Sequence, residues 1–339
     1  MKSKLTQLSI FVFLLSVLTG CVTHQIGRSD QKKLSGKTFV IVGASSGIGK
    51  GVAEKLGSYH ANVVLAARRT ELLEEVATAV KTAGGKALVV TTDVTDSSQL
   101  KRLADVAQRE FGKVDVWINN AGVGSIGKFW EIPLAVQSTV VDVNLKGVIY
   151  GSYVAVNLFR KQGYGTIINT GSVDSETPLA YQGAYSASKA GVLNLSQLLN
   201  QELRLNGYNQ IKVVTIMPWA TDTPWWRHAA NYSGGTPRMA AMDGPEKSVN
   251  AIIRKSLRPK RHRVKVGWKT GGSNFFHKIF PVFTERMSAN IAHKYQIENA
   301  PPDSITTGAV FKPMKAGQGV DDGVRPRIKK EKKMKAAGR

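Results

Sequence analysis

The stretch "TFVIVGASSGIGKG", residues 38–51, runs from five apolar or β-branched residues into a glycine-rich turn and then into a helical pattern. Five residues of this kind, bounded by Gly43, read as a buried strand. From Gly47 onward the apolar positions take the helical period. A glycine-rich turn alone signals only a tight bend. Between a strand and a helix it does more, because backbone amides there can approach a pyrophosphate and the helix N-terminus adds partial positive charge. Gly43, Ser45, Ser46, Gly47, Ile48 and Gly49 are therefore candidate cofactor contacts.

Outward from this turn the pattern repeats. Apolar runs at Asn62–Ala66, Lys86–Thr91, Val114–Ile118, Gly165–Thr170 and Ile211–Met217 alternate with helical-period segments such as Glu71–Thr82, Ser98–Phe111 and Ala184–Leu205. Strands apolar on both faces and separated by helices predict an α/β fold, a doubly wound parallel sheet of the Rossmann type. Its ligand is expected beyond the carboxyl ends of the strands. The predicted organisation is a targeting segment over 1–21, a linker over 22–36, one catalytic domain over 37–270 and a C-terminal extension over 271–339. No solenoid repeat and no metal-ligand spacing occurs in the sequence.

The second strand bears on the choice of cofactor. It ends "LAARR", with Ala67 where a carboxylate would hold the ribose hydroxyls of NAD, followed by Arg68 and Arg69. Guanidinium forks suit a 2′-phosphate, and cations opening a helix are otherwise badly placed against its dipole. NADP is the expected cofactor.

The chemistry is expected from "GSVDSETPLAYQGAYSASKAG", residues 171–191. Tyr185 and Lys189 are four apart and share a helix face. An ammonium about 4 Å from a phenol is worth about 4 kcal/mol at an effective dielectric of about 20, which favours the phenolate. That pair can exchange a proton with a carbinol oxygen, and Ser172 can hydrogen-bond the same oxygen. Asp174 and Glu176 read as surface residues.

These motifs together resemble the short-chain dehydrogenase/reductase family over about Lys37 to Val266. The resemblance implies that Asn144, in "VDVNLKG", is a catalytic asparagine holding a water in a relay through Lys189. It implies that Asp93 and Val94 meet the adenine ring, that Asn120 of "NNAG" belongs to the cofactor site, and that Thr223 contacts the nicotinamide amide. Tyr185 and Lys189 would also touch the cofactor. Two residues depart from the family pattern: Val42 replaces a threonine before the first glycine, and Trp219 replaces a glycine after Pro218. The expected reaction is hydride transfer between NADPH and a carbonyl or alcohol. The alternative is a nucleotide-binding or structural envelope protein that keeps the fold without turnover.

The segment 221–245 is expected to cover the substrate. It carries Trp225, Trp226, Tyr232 and Met239, which suit an apolar substrate or simply pack the cover in place. His228 reads as an exposed residue of this cover.

The formal charge of +23 is concentrated. Residues 254–269 hold eight Lys/Arg and no acid, and residues 325–339 hold eight against one acid. The second stretch is expected to be a solvated, disordered tail. No aromatic residues interleave with it to stack on bases, which excludes nucleic acid as a partner. Attraction to anionic lipid is the functional reading of the charge. At the start, Lys2 and Lys4 precede an apolar run, Leu8–Leu18, that ends in "LTGC" at the single cysteine, Cys21. The run resembles a bacterial lipoprotein signal, with an uncleaved anchor as the alternative. Membrane attachment in a bacterial envelope follows from either, and the face carrying the catalytic domain stays open, as does self-association.

Overall fold

A computed structural model of the chain describes residues 25–336, residue 261 excepted. Seven strands form one parallel sheet: β1 (Thr38–Val42), β2 (Asn62–Ala67), β3 (Lys86–Thr91), β4 (Val116–Asn119), β6 (Gly165–Thr170), β7 (Ile211–Met217) and β9 (Arg263–Lys265). Their order is β3-β2-β1-β4-β6-β7-β9. A two-residue pair, β5 (Ser125–Ile126) with β8 (Ala230–Asn231), stands apart. The strand order reverses between β1 and β4, so a crevice opens beyond their carboxyl ends. The doubly wound fold expected from the alternation is present.

Helices cover both faces. Helices α1 (Arg28–Leu34), α2 (Gly47–Gly57), α3 (Thr70–Thr82) and α9 (Glu246–Leu257) pack on one side through Leu34, Leu56, Leu73 and Ile252. Helices α4 (Ser97–Phe111), α5 (Leu134–Val141), α6 (Gly147–Gln162) and α7 (Gly183–Leu205) cover the other through Leu103, Val140, Phe159 and Leu203. Beneath the crevice runs a buried polar ladder. Trp117 Nε1 donates to Asn119 Oδ1 at 2.8 Å, Asn119 Nδ2 to Asn169 Oδ1 at 2.8 Å, and Asn169 Nδ2 to Ser196 Oγ at 2.9 Å. Every member is satisfied, so the ladder fixes strand and helix positions without leaving a buried group unpaired. Gly151 lets α6 approach it, because a Cβ there would overlap Asn119 Oδ1.

The fourth strand begins two residues later than its apolar run suggests. Asp115 is taken by Thr38 N–H at 2.9 Å and Lys37 Nζ at 3.1 Å, which ties the run's start to the head of β1. Part of the expected linker is also ordered: α1 buries Leu34, and Arg258 reaches Asp30 at 2.8 Å.

The largest correction concerns the C-terminal extension. After a short cover helix, α8 (Trp225–His228), and β9, the chain forms a hairpin of α10 (Gly267–Ile279) and α11 (Pro281–His293). It then returns across the crevice and ends in α12 (Val324–Ala336) in place of the expected disordered tail. The Asp222 carboxylate accepts from the N–H groups of Val324 and Arg325, both at 2.9 Å, so it satisfies the helix start from another part of the chain. Arg238, almost fully buried, pairs with Glu331 of α12. These contacts tie the lysine-rich helix to the domain. The expected signal and Cys21 lie outside the described residues. Among the described residues, no helix is long and apolar enough to cross a membrane.

Candidate active site

The turn after β1 is built as its sequence demands. Gly43 has φ +90°, and a Cβ there would lie 2.6 Å from Ala121 N, so glycine is required by both conformation and approach. Val42 has no hydroxyl to hold the turn. Asn120 does so instead: its N–H donates to Val42 O at 2.9 Å and its Nδ2 to Gly43 O at 3.2 Å. Gly47, at φ +59°, opens α2 beside Thr223, whose Cβ would be 3.6 Å from an added Cβ at Gly47. Ile48 and Gly49 follow, with Gly49 packed so closely on Gly43 O that no side chain fits.

Arg69 folds back over this turn. Its Nε and Nη2 donate to Ser45 Oγ at 3.2 and 3.0 Å, and Nη2 also to Ser46 Oγ at 2.7 Å. Its Nη1 donates to the carbonyls of Met314 and Gly317, both at 3.3 Å. Arg68 donates to the carbonyls of Ala309 at 2.8 Å and Phe311 at 3.2 Å. The N–H of Gly47, at the start of α2, donates to Gly319 O at 2.9 Å. Residues 309–319 thus form a strap over the end of the crevice beneath which the two arginines lie. His228 joins it, with Nε2 2.9 Å from Ala316 O, so this residue is half-buried against the strap and not an exposed part of the cover.

Farther along the crevice the structure brings together Asn144, Ser172, Tyr185 and Lys189. Asn144 sits in a single π-turn, Asp142–Lys146, between α5 and α6. There its amide exchanges two 2.8 Å bonds with the backbone of Val123. Local widening of a helix of this kind often marks a functional position. Ser172 follows β6 and starts a one-turn 3₁₀ helix, Val173–Ser175, in which Ser172 and Ser175 cap each other. Ser175 Oγ also donates to Lys189 O at 2.8 Å, which ties this turn to α7. Tyr185 and Lys189 lie one turn apart on α7, the ammonium 5.6 Å from the phenol ring centre. Lys189 Nζ donates to Thr170 O at 2.7 Å. Gly122 leaves room there, since a Cβ would come within 3.3 Å of Asn144 Oδ1 and 3.6 Å of Lys189 Nζ.

Asp174 is the residue that the sequence hides. It is buried beside Ser172, Ser186, Tyr185 and Lys189, not on the surface. Loss of solvation raises its carboxyl to about 7 against the pull of its hydrogen bonds and of Lys189. Burial lowers Lys189 to about 8, with Asp174 holding it up. The Tyr185 phenol is pushed above its ordinary value by burial and by Asp174, while a hydrogen bond with Ser172 draws it down. The Tyr/Lys pair alone suggests a lowered phenol; burial, with the nearby Asp174 carboxyl adding to it, reverses the sign. Glu176 is half-buried and holds Lys265 at 3.0 Å and Asn274 at 2.6 Å.

A carboxyl raised from near 4 to about 7 favours the fold below pH 4, and that contribution is lost as pH climbs to 7. The Asp174→Asn protein is therefore expected to gain in thermal midpoint over the parent between pH 5 and pH 8. Midpoints that run parallel across that range would show that the carboxyl is not held protonated.

The whole crevice is a cavity of ≈ 580 Å³ lined by the glycine turn, both arginines, Asp93, Val94, Asn120, Thr223, Ser172, Tyr185 and Lys189, with Asn144 fully buried behind the wall formed by Val123 and Val143. Asp93 Oδ1 is taken by Thr95, and Val94 packs on Gly147. Apart from Ser172, Asp174 and Lys189, the wall beside Tyr185 is formed by an aromatic ring. The Trp225 ring lies 4.9 Å from that of Tyr185, whereas Trp226 turns inward and packs with Ile126 and Met239. Both tryptophans line the cavity and both pack in the cover. Trp219 is half-buried, and its indole N–H, like that of Trp225, is buried with no hydrogen-bond partner among the described residues.

Residues 37–232 match the family model described as short chain dehydrogenase. The chain is 30% identical over 294 residues to the uncharacterized oxidoreductase YxnA of Bacillus subtilis, covering 86% of this chain and 81% of that protein. It is 32% identical over 233 residues to the ketoacyl reductase HetN of Nostoc, covering 69% and 79%. Among solved structures it is similar to an alcohol dehydrogenase of Thermococcus sibiricus complexed with 5-hydroxy-NADP. The TM-score is 0.57 at 25% identity, covering 67% of this chain and 93% of the other.

Proposed function

Because the chain belongs to the short-chain dehydrogenase family, we propose that this oxidoreductase uses NADP and interconverts an apolar carbonyl compound and its alcohol. The observation that carries the reading is the convergence of Ser172, Tyr185 and Lys189 on one largely apolar cavity, with Asn144 buried behind it on the backbone of Val123. The glycine turn, the Ser45/Ser46/Arg69 cluster and the space kept by Gly122 fit a dinucleotide.

When bound, the nicotinamide supplies hydride to the carbonyl carbon or takes it from the carbinol carbon. Tyr185 gives a proton to the substrate oxygen in reduction and removes it in oxidation. Ser172 holds the same oxygen, which fixes the angle of approach. Lys189 places a positive charge beside the phenol and favours its anion as the proton leaves. Asn144 holds the loop of Val123 and, with Lys189, borders the space through which a relay water would return the proton. The apolar walls around Trp225 exclude water and select for apolar substrates. A screen of carbonyl compounds that follows NADPH absorbance tests the reading; binding of NADPH with no turnover of any class would favour a retired, nucleotide-binding protein.

NADP is preferred over NAD on the strength of Arg68, Arg69 and the absence of an acid at Ala67. A phosphate dianion is a better acceptor for these guanidiniums than the strap carbonyls that now hold them. The protein is expected to bind NADPH more tightly than NADH, and Arg69→Asp is expected to reduce that preference by at least roughly tenfold. Equal affinities in the parent would end the assignment.

The N-terminal pattern supports attachment to a bacterial membrane, by a lipid on Cys21 or by an uncleaved anchor. Labelled fatty acid is expected on the parent and not on Cys21→Ser, and protease added to spheroplasts reports the face. A protein recovered unlabelled and wholly soluble would remove the tether from the proposal.

A further inference from the structure

The α10–α11 hairpin is amphipathic in the wrong sense for a soluble protein. Against the domain, α10 buries Thr270 and Asn274, and α11 buries Thr284 and Ala292. Outward, α10 turns Trp268 and Phe275, and α11 turns Phe283 and Met287, with Phe280 at the bend between them. Trp268 is 65% exposed and Phe283 66%. Single exposed apolar residues need no explanation, but an apolar face of this length across two packed helices marks a contact surface. The helices are held as a unit: His277 Nε2 lies 2.8 Å from Glu285 Oε1 across the bend.

Two further observations identify what the face meets. The cavity that holds Tyr185 continues to Trp268, Phe276, Met287 and Ile291, so it opens on the hairpin. Exposed Lys278 and Arg286 accompany the aromatic residues, and the preceding stretch 254–269 holds eight Lys/Arg and no acid. Of these eight, Arg258, Arg263, Lys265 and Lys269 are met by Asp30, Glu176 and Asp243 of the domain. A second copy of a chain with a formal charge of +23 would bring like charge against like charge there. An anionic lipid surface complements the charge and receives the aromatic rings. Helices of 13 residues are too short to span a bilayer and suit a position in its interface.

We propose that the outer face of the α10–α11 hairpin docks on an anionic lipid bilayer, so that apolar substrate passes between the acyl chains and the cavity without crossing water. This surface is separate from the proposed N-terminal tether. It draws its purpose from the proposed substrate reading, but the experiment reads docking without turnover, so failure of activity and failure of docking are distinguishable.

The full chain is mixed with phosphatidylcholine/phosphatidylglycerol vesicles, with and without bromine on the acyl chains, and tryptophan fluorescence is compared between the parent and Trp268→Phe. Brominated lipid is expected to quench the parent more strongly than the variant, and the difference is expected to shrink with added salt. A Phe280→Ser/Phe283→Ser protein that still binds NADPH is expected to lose most of the quenching at Trp268. Equal quenching in the parent and Trp268→Phe overturns the proposal, even if the protein floats with the vesicles, because the tether alone then holds it. So does a lipid-free dimer that Phe283→Ser converts to a monomer, for then a second copy covers the face.

Discussion

A Tyr185→Phe protein is expected to bind NADPH almost as the parent does and to turn over roughly 10²- to 10⁴-fold more slowly. The ring remains, so the packing on Trp225 at 4.9 Å and the position over Lys189 survive. Only the hydroxyl is lost, and with it the group that exchanges a proton with the substrate oxygen. Binding titration and stopped-flow turnover on the same preparation separate the two effects. Retained turnover would place the proton donor elsewhere, with the buried carboxyl of Asp174 the first residue to examine.

Lys189→Ala is expected to cost more, because one side chain serves several neighbours. The ammonium is bound to Thr170 O at 2.7 Å, lies beside Tyr185 and lowers the Asp174 carboxyl. Its removal takes a donor from the buried Thr170 carbonyl and lets the Asp174 carboxyl rise further. Turnover and NADPH affinity should both fall, the latter because the cation borders the space kept by Gly122. Lys189→Arg is expected to recover affinity before turnover, since a guanidinium keeps the charge but not the point-like donor. If Lys189→Ala bound NADPH as tightly as the parent, the lysine would act on the phenol alone.

The sheet was legible because its inner strands are buried on both faces and so stay largely apolar; Thr38–Val42 and Ile211–Met217 begin and end where the sequence says, and so does the half-buried edge strand Lys86–Thr91. The site was legible where chemistry is local. Tyr185 and Lys189 share a helix face by spacing, and the glycine turn needs only its neighbours. Asp174 was not legible, because a carboxylate after a strand is usually solvated and its burial depends on α7 and the cover meeting above it. The Ser172 and Ser175 pair was the one local hint, since the two cap each other around a tight turn of Val173 and Asp174, of which Asp174 is buried. The hairpin escaped because its period is apolar on the outer side, which a reading based on burial assigns to the core. The partners of Arg68 and Arg69 were out of reach altogether: they are backbone carbonyls about 240 residues away, and a carbonyl leaves no mark on a sequence.

The strap of residues 309–319 also bears on how the protein is made. A ribosome delivers β1 through β9 first, and domains fold as their segments emerge. The glycine turn, Arg69 and Lys189 can therefore be in place while the roof above them has not yet been translated. During that interval dinucleotide meets an open groove, whereas afterwards it must compete with Met314, Gly317 and Gly319 for the same donors. Loading during translation and loading of the finished chain thus differ in rate, and chains arrested before residue 309 should take up NADPH faster than released ones.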